Sequence, residues 1–278
     1  AAMKLSRILR FMVVFVVLLS CGCEYVPEDP VLPLVILEPK ASGEVVYRCQ
    51  GMVVDASHTN QGYVMIQSEP SEMRRKVRIT HDDQMYTYDL PTDGEYDVYP
   101  LQMGNGAYEI KLYESTGGNG YVVLDRISLD VQLTTEYVVF LYPNQYVWYT
   151  NYDNAVDLSY TICAPYSKDQ QKVSAIYKYV VEHMEYDTEK AKTVRSGYIP
   201  NVDEVLAEGK GICFDYAAIL AAMLRAQNIP TRLVIGNVQP ENILHAWNHV
   251  LVNGQWQSLD ATFNEIRQQE QYTETKRY

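Results

Sequence analysis

Between Glu44 and about Tyr149 apolar and polar residues alternate in short runs: "GYVMIQ", "RKVRIT", "MYTYDL", "EYDVYPL", "AYEIKLY", "YVVLDRISLDVQL" and "YVVFLY". The breaks between them, "PTDGE", "GNG" and "STGGNG", are turn formers. A period of two at this spacing predicts an all-β, Ig-like sandwich of about seven strands over residues 44–150. After about Asn151 the period lengthens. "KDQQKVSAIYKYVVEHMEY" puts Val173, Ile176, Tyr177, Val180 and Met184 on one stripe, as a core-facing helix requires. "NVDEVLAEG" predicts a short helix capped by Asn201 and stopped by Gly209. "CFDYAAILAAMLRAQ" is a strong helix former bounded by Gly211 and by Asn228 and Pro230, with alanines giving it faces for close packing. "TRLVIG", "LHAWNHVLV" and "QWQSLDATF" then predict strands, and the polar tail from Arg267 predicts surface. The chain is therefore expected to be α+β, with a β-rich half before a helix-and-sheet half at 151–278.

The N-terminus follows a different pattern. Lys4, Arg7 and Arg10 precede "FMVVFVVLL", an apolar run too short to span a bilayer comfortably, which predicts an export signal over residues 1–20; an uncleaved anchor helix is the other reading. "LLSC" resembles a bacterial lipobox, which implies acylation of Cys21 and an exported product lipid-anchored to the cell membrane. From 21 to 43 four prolines and little periodicity predict an extended tether, with an edge strand through "LVIL" as the alternative.

Charge narrows the partners. The formal net charge is −12, and loss of the three cations in the first 20 residues takes it to −15. Phosphate binding needs a basic face, so nucleic acid is not an expected partner. Besides Cys21 the cysteines are Cys23, Cys49, Cys163 and Cys213, with no paired spacing that predicts a disulfide framework or a zinc site, and no cofactor is expected.

Cys213 opens the alanine-rich helix, where first-turn amides and the helix dipole favour a thiolate. If Asn253 and Gly254 are the centre of a type I′ turn, Val252 faces Gln255. Counting outward then sets His249 opposite Ser258, Trp247 opposite Asp260 and His245 opposite Thr262, all on one face. His245 and His249 are both diagonal neighbours of Asp260, roughly 7–8 Å away between backbones. Hairpin geometry leaves the choice between the two histidines open.

The stretch "GKGICFDYAAILAAMLRAQNIPTRLVIG", then "HAWNHV", then "GQWQSLDAT" resembles the transglutaminase-like superfamily of papain-related thiol enzymes, over roughly residues 160 to 265. The resemblance implies a papain-like transglutaminase core with Cys213 as nucleophile, His245 as general base and acid and Asp260 as orienting carboxylate; the family histidine is the one directly before Ala-Trp. It implies a cell-surface cysteine protease, amidase or cross-linking transglutaminase acting on protein or peptide amides, cell-wall associated ones included. The competing expectation is a catalytically inactive surface-binding or envelope scaffold protein. The sequence departs from the pattern at Asn228, where glycine is usual, at His249, where an acid is common, and at Ala261, where proline follows the aspartate. The backbone amide of Cys213 is the expected first oxyanion donor. No residue was evident as the second.

Overall fold

In the computed structural model, residues 35–263 and 271–278 are described. The expected export signal at 1–20 and the expected lipid acceptor Cys21 lie outside them.

The alternating region folds into eight strands: β1 (Val46–Cys49), β2 (Met52–Asp55), β3 (Tyr63–Ser68), β4 (Arg75–His81), β5 (Gln84–Leu90), β6 (Tyr96–Pro100), β7 (Gly106–Gly117) and β8 (Gly120–Val131). They form two four-stranded antiparallel sheets, ordered β1-β2-β3-β6 and β5-β4-β7-β8. Alternation does what it predicts: Val77 and Ile79 of β4, Tyr86, Tyr88 and Leu90 of β5, and Tyr108, Ile110 and Leu112 of β7 are buried while their neighbours are more exposed. β1, which is half-buried to exposed, and β2, which is mostly buried, are linked by a two-residue turn and are additional to the runs expected.

"YVVFLY" is not a strand. Residues Val138–Leu141 make a 3-10 turn with Val139 and Phe140 buried in succession. The turn seats Tyr142 against Tyr63 on the outer face of β3, where Met65 and Val98 complete a small second cluster.

The second half holds α1 (Asn154–Cys163), α2 (Asp169–His183), β9 (Glu185–Tyr186), α3 (Thr188–Thr193), α4 (Val202–Glu208), β10 (Lys210–Gly211), α5 (Cys213–Ala226), β11 (Thr231–Val238), β12 (Ile243–Val252), β13 (Gln255–Leu259) and β14 (Tyr272–Arg277). α2 buries Val173, Ile176 and Val180, the expected stripe. On α4 the Asn201 side chain accepts from the Glu204 amide and Gly209 turns out of the helix at φ +63°. α5 is apolar nearly all round and accordingly lies buried, its alanines at 217, 218, 221 and 222 allowing close approach of its neighbours.

The sheet order is β13-β12-β11-β14, so the polar tail returns as an edge strand beside β11. Its composition, "YTETKR", suits a half-solvated edge that must discourage further pairing, which is why its polarity predicted surface without showing a strand. One continuous hydrophobic cluster joins the sheets of the first half (Val54, Ile79, Tyr88, Ile110) to α5 (Ala218, Leu220, Leu224), and Tyr278 stands in it against Tyr86 and Tyr88.

Candidate active site

The chain enters α5 through β10, which pairs in parallel with β9: the Glu185 and Asp187 amides donate to the Gly209 and Gly211 carbonyls, both at 2.8 Å. Ile212 is the N-cap and Cys213 the first helical residue, at the positive end of a 14-residue helix. The Ile212 amide donates to Asp215 Oδ2 at 2.8 Å, half of a capping box. Asp215 is fully buried. Its charge is met by Lys190 Nζ at 2.8 Å and its other oxygen by the Tyr198 hydroxyl at 2.6 Å, tying α3 and the segment after it to the start of α5.

Gly211 matters here for room. Its φ is not in the left-handed region, so no tight turn demands glycine there. A Cβ would instead lie 2.7 Å from Asp215 Cβ, 2.9 Å from its Oδ2 and 3.1 Å from Val205. Gly211→Val is expected to displace the Asp215 carboxylate and slow alkylation of Cys213 by about 10–100-fold, since small misplacements at a reacting centre carry such costs. Alkylation by iodoacetamide, followed by mass spectrometry, checks it; an unchanged rate would mean that this contact does not position the cysteine.

The hairpin forms in the expected register. Val252 pairs with Gln255 and His249 with Ser258, and both Asn253 (φ +52°) and Gly254 (φ +75°) are left-handed, as a type I′ turn requires. β13 ends at Leu259, and Asp260 leaves the ladder to meet His245: Nε2 to Oδ2 is 2.7 Å. Both side chains are nearly buried, at 4% and 10% exposure. The carboxylate also accepts from the Thr262 amide and the Tyr272 hydroxyl, both at 2.9 Å, while the Tyr177 hydroxyl donates to the Asp260 carbonyl at 3.1 Å.

The same imidazole lies beside Cys213 and interacts with it electrostatically. Burial disfavours its cation, but the bond to Asp260 and the interaction with Cys213 outweigh burial and raise the His245 pKa to about 9. Burial pushes Asp260 up, and the His245, Thr262 and Tyr272 contacts more than reverse it, so its pKa is lowered. With Nε2 committed to Asp260, Nδ1 is the nitrogen left for the thiol.

His249 is elsewhere. Trp247 Nε1 donates to its Nε2 at 3.1 Å, and its Nδ1 faces Glu274 Oε2 at 3.8 Å. Burial and the nearby Arg232 and Arg277 charges lower its pKa despite Glu274. The other thiols sit apart: Cys49 and Cys163 are free, burial raises both pKa values, and that of Cys163 reaches about 11.

Several contributing residues carry no motif. Asn248, fully buried on β12, donates from Nδ2 to the Ala217 carbonyl of α5 at 2.9 Å and to the Arg232 carbonyl at 3.2 Å, fastening the cysteine helix to the histidine strand. An amide inside a buried strand is the available signal. Asp215, three residues after an N-cap, is the signal of a capping box. Tyr272 gave none, because its strand was not anticipated. Beside the thiol and imidazole a cavity of ≈ 640 Å³ opens between α5, the start of β12 and residues 191–198. Among the described residues no group of three or more His, Cys, Asp or Glu side chains is arranged to hold a metal ion.

Residues 156–261 match the family model of the transglutaminase-like superfamily. This segment belongs to that superfamily. The transglutaminase-like core so defined contains α1 through β13 and the three polar groups of the site. A UPF0252 protein of Pyrococcus horikoshii is 32% identical over 90 residues, which are 32% of this chain and 28% of that protein, so the match spans under a third of the relative. Among solved structures, the chain is similar to a cysteine-protease candidate of Cytophaga hutchinsonii, at 17% identity over 78% of this chain and 79% of that one, with a TM-score of 0.44. It is also similar to the periplasmic domain of TgpA from Pseudomonas aeruginosa, at 15% identity over 80% and 75%, with a TM-score of 0.36.

Proposed function

We propose that the chain is a thiol acyl-transfer enzyme acting on peptide or protein amides through Cys213, His245 and Asp260. The observation that carries this is one imidazole bonded at 2.7 Å to a buried carboxylate and lining the same cavity as a cysteine at a helix N-terminus. Asp260 accepts the Nε2 proton and so presents Nδ1 as the acceptor of the thiol proton. The thiolate attacks the carbonyl carbon; the electron pair of the C=O bond moves to oxygen and is met by the Cys213 amide, which has no intrahelical acceptor at this first helical position. Collapse of the tetrahedral centre breaks the C–N bond, and the imidazolium gives its proton to the departing nitrogen. The remaining thioester is resolved by water or an amine. Water is always present and no lysine-binding feature is evident, so hydrolysis is the favoured outcome.

The test is selective alkylation at pH 6. Cys213 is expected to react with iodoacetamide faster than Cys49 and Cys163, and to lose that advantage in His245→Ala. Equal rates in the two proteins would refute the enzyme reading in favour of a binding scaffold. Casein with a fluorescent primary amine then separates the outcomes: amine incorporation lost in Cys213→Ala means transfer, peptide release means proteolysis, and ammonia alone means deamidation. The surface location rests on the basic-then-apolar N-terminus and Cys21. Radiolabelled palmitate incorporated by cells expressing the full chain, and lost in Cys21→Ser, checks it.

A further inference from the structure

The cavity beside Cys213 is built of side chains that the bond-making steps do not use. One bank is the start of β12, where Ile243 and Leu244 stand at the opening; the other bank carries Val194. Ile243 is 51% exposed and Leu244 69%, although the four residues that follow them on the same strand are all buried. Val194 is 37% exposed. Aliphatic side chains in water on both banks of one opening are the signature of a surface that something apolar covers. The floor is aromatic: the Tyr146 ring lies 4.3 Å from Tyr278 and 5.9 Å from Phe214. Among the described residues no Asp or Glu lines this space, and its one lysine or arginine is Arg195.

We infer that the cavity is the acyl-donor subsite and that its occupant is a peptide residue with a large aliphatic or aromatic side chain next to the carbonyl that Cys213 attacks. This rests on the acyl-transfer reading. The volume suits a peptide segment, being within the range of small-molecule sites. A charged side chain entering it would surrender its hydration to rings and methyl groups without a partner of opposite sign for a cation, and with only exposed Arg195 for an anion. The exposed aliphatics on the banks become buried only when substrate is present, so their contribution is to substrate selection and not to the fold.

The experiment uses N-acetylated p-nitrophenyl esters of Phe, Leu, Ser, Lys and Glu, whose nitrophenol release reports acylation of Cys213 whatever the final acceptor. Phe and Leu esters are expected to show kcat/KM about 10–200-fold above the polar analogues, as a hydrophobic pocket typically discriminates. Leu244→Asp and, as a second variant at an independent exposed position, Ile243→Asp are expected to shrink that ratio mainly through KM, with iodoacetamide reactivity at Cys213 reporting that the site is intact. Equal kcat/KM across the series, or a Glu ester that outruns Phe, would overturn the subsite while leaving acyl transfer standing. No nitrophenol burst and no acyl adduct on Cys213 with any ester would overturn the acyl-transfer reading and the subsite with it.

Discussion

Asp260→Asn is expected to slow acylation of Cys213 by about four orders of magnitude while leaving the fold in place, the size of effect seen when an orienting carboxylate becomes an amide. The amide is nearly the same shape: the Thr262 amide keeps its oxygen at Oδ1, while the Tyr272 hydroxyl, which shares Oδ2 with His245, meets the NH₂ and can accept from it. What changes is the proton. An amide NH₂ turned toward Nε2 makes that nitrogen an acceptor and forces the proton onto Nδ1, which then faces the thiol as a donor and takes nothing from it. The substitution also has a signature in stability. His245 has its folded pKa raised from 6.5 to about 9, so its ion-pair contribution is fully present below about pH 6.5 and is lost as pH rises through about 9. Asp260 has its folded pKa lowered, so its contribution is present above the usual carboxylate range and is lost as pH falls through the depressed value. Wild type is therefore expected to lose Tm between pH 6.5 and 9 more steeply than Asp260→Asn. Scanning fluorimetry across that range measures it, and parallel curves would show that the pair is not coupled as the geometry indicates.

Arg225→Met is expected to lower the free energy of unfolding by about 4 kcal/mol or more, among the larger single-residue effects. Arg225 is buried and spends its guanidinium on three main-chain oxygens: Nε to Thr231 at 2.9 Å, one terminal nitrogen to Tyr142 at 2.7 Å and the other to Tyr278 at 2.8 Å. Burial lowers its pKa to about 10, so it remains a cation at neutral pH. Methionine fills the volume and strands three buried acceptors, each of which costs about 1–3 kcal/mol when left unpaired. Those acceptors come from the end of α5's loop, the turn after Val138–Leu141 and the end of β14, so one side chain holds the cysteine helix to both halves of the chain. Urea unfolding gives the value. A loss below about 1 kcal/mol would mean that water or a backbone shift re-satisfies the carbonyls. Arg225→Lys, with one compact head for three oxygens, is expected to fall between.

Much of the site was legible because its parts lie in regular elements with strong local signals. The turn at Asn253-Gly254 sets the register of β12 on β13, and the glycines and alanines around Cys213 set the helix start. Hairpin counting could not separate His245 from His249, since it knows strands and not where a strand stops. β13 ends at Leu259, and that release is what lets Asp260 turn to His245 and away from His249. The supporting contacts were less visible because they are long-range: Tyr177, Tyr272 and Lys190 reach the site from α2, β14 and α3. β14 itself was hidden by its composition. The strand depends on Gly236, where a Cβ would lie 2.0 Å from the Thr273 carbonyl oxygen, and a lone glycine in "TRLVIG" had looked like the end of β11 when it is the place where a third strand comes closest.

The two histidines of "HAWNHV" sit four residues apart on one strand with opposite protonation at neutral pH: His245 is held as a cation by Asp260, while the Trp247 indole, donating to Nε2, suits only an uncharged His249. A reagent such as diethyl pyrocarbonate transfers an ethoxycarbonyl group only to the lone pair of a neutral ring. Between about pH 6.5 and 9 it would therefore mark the bystander and spare the working residue, so an ethoxycarbonylated peptide and a retained reaction rate in the same tube is the pattern this strand produces.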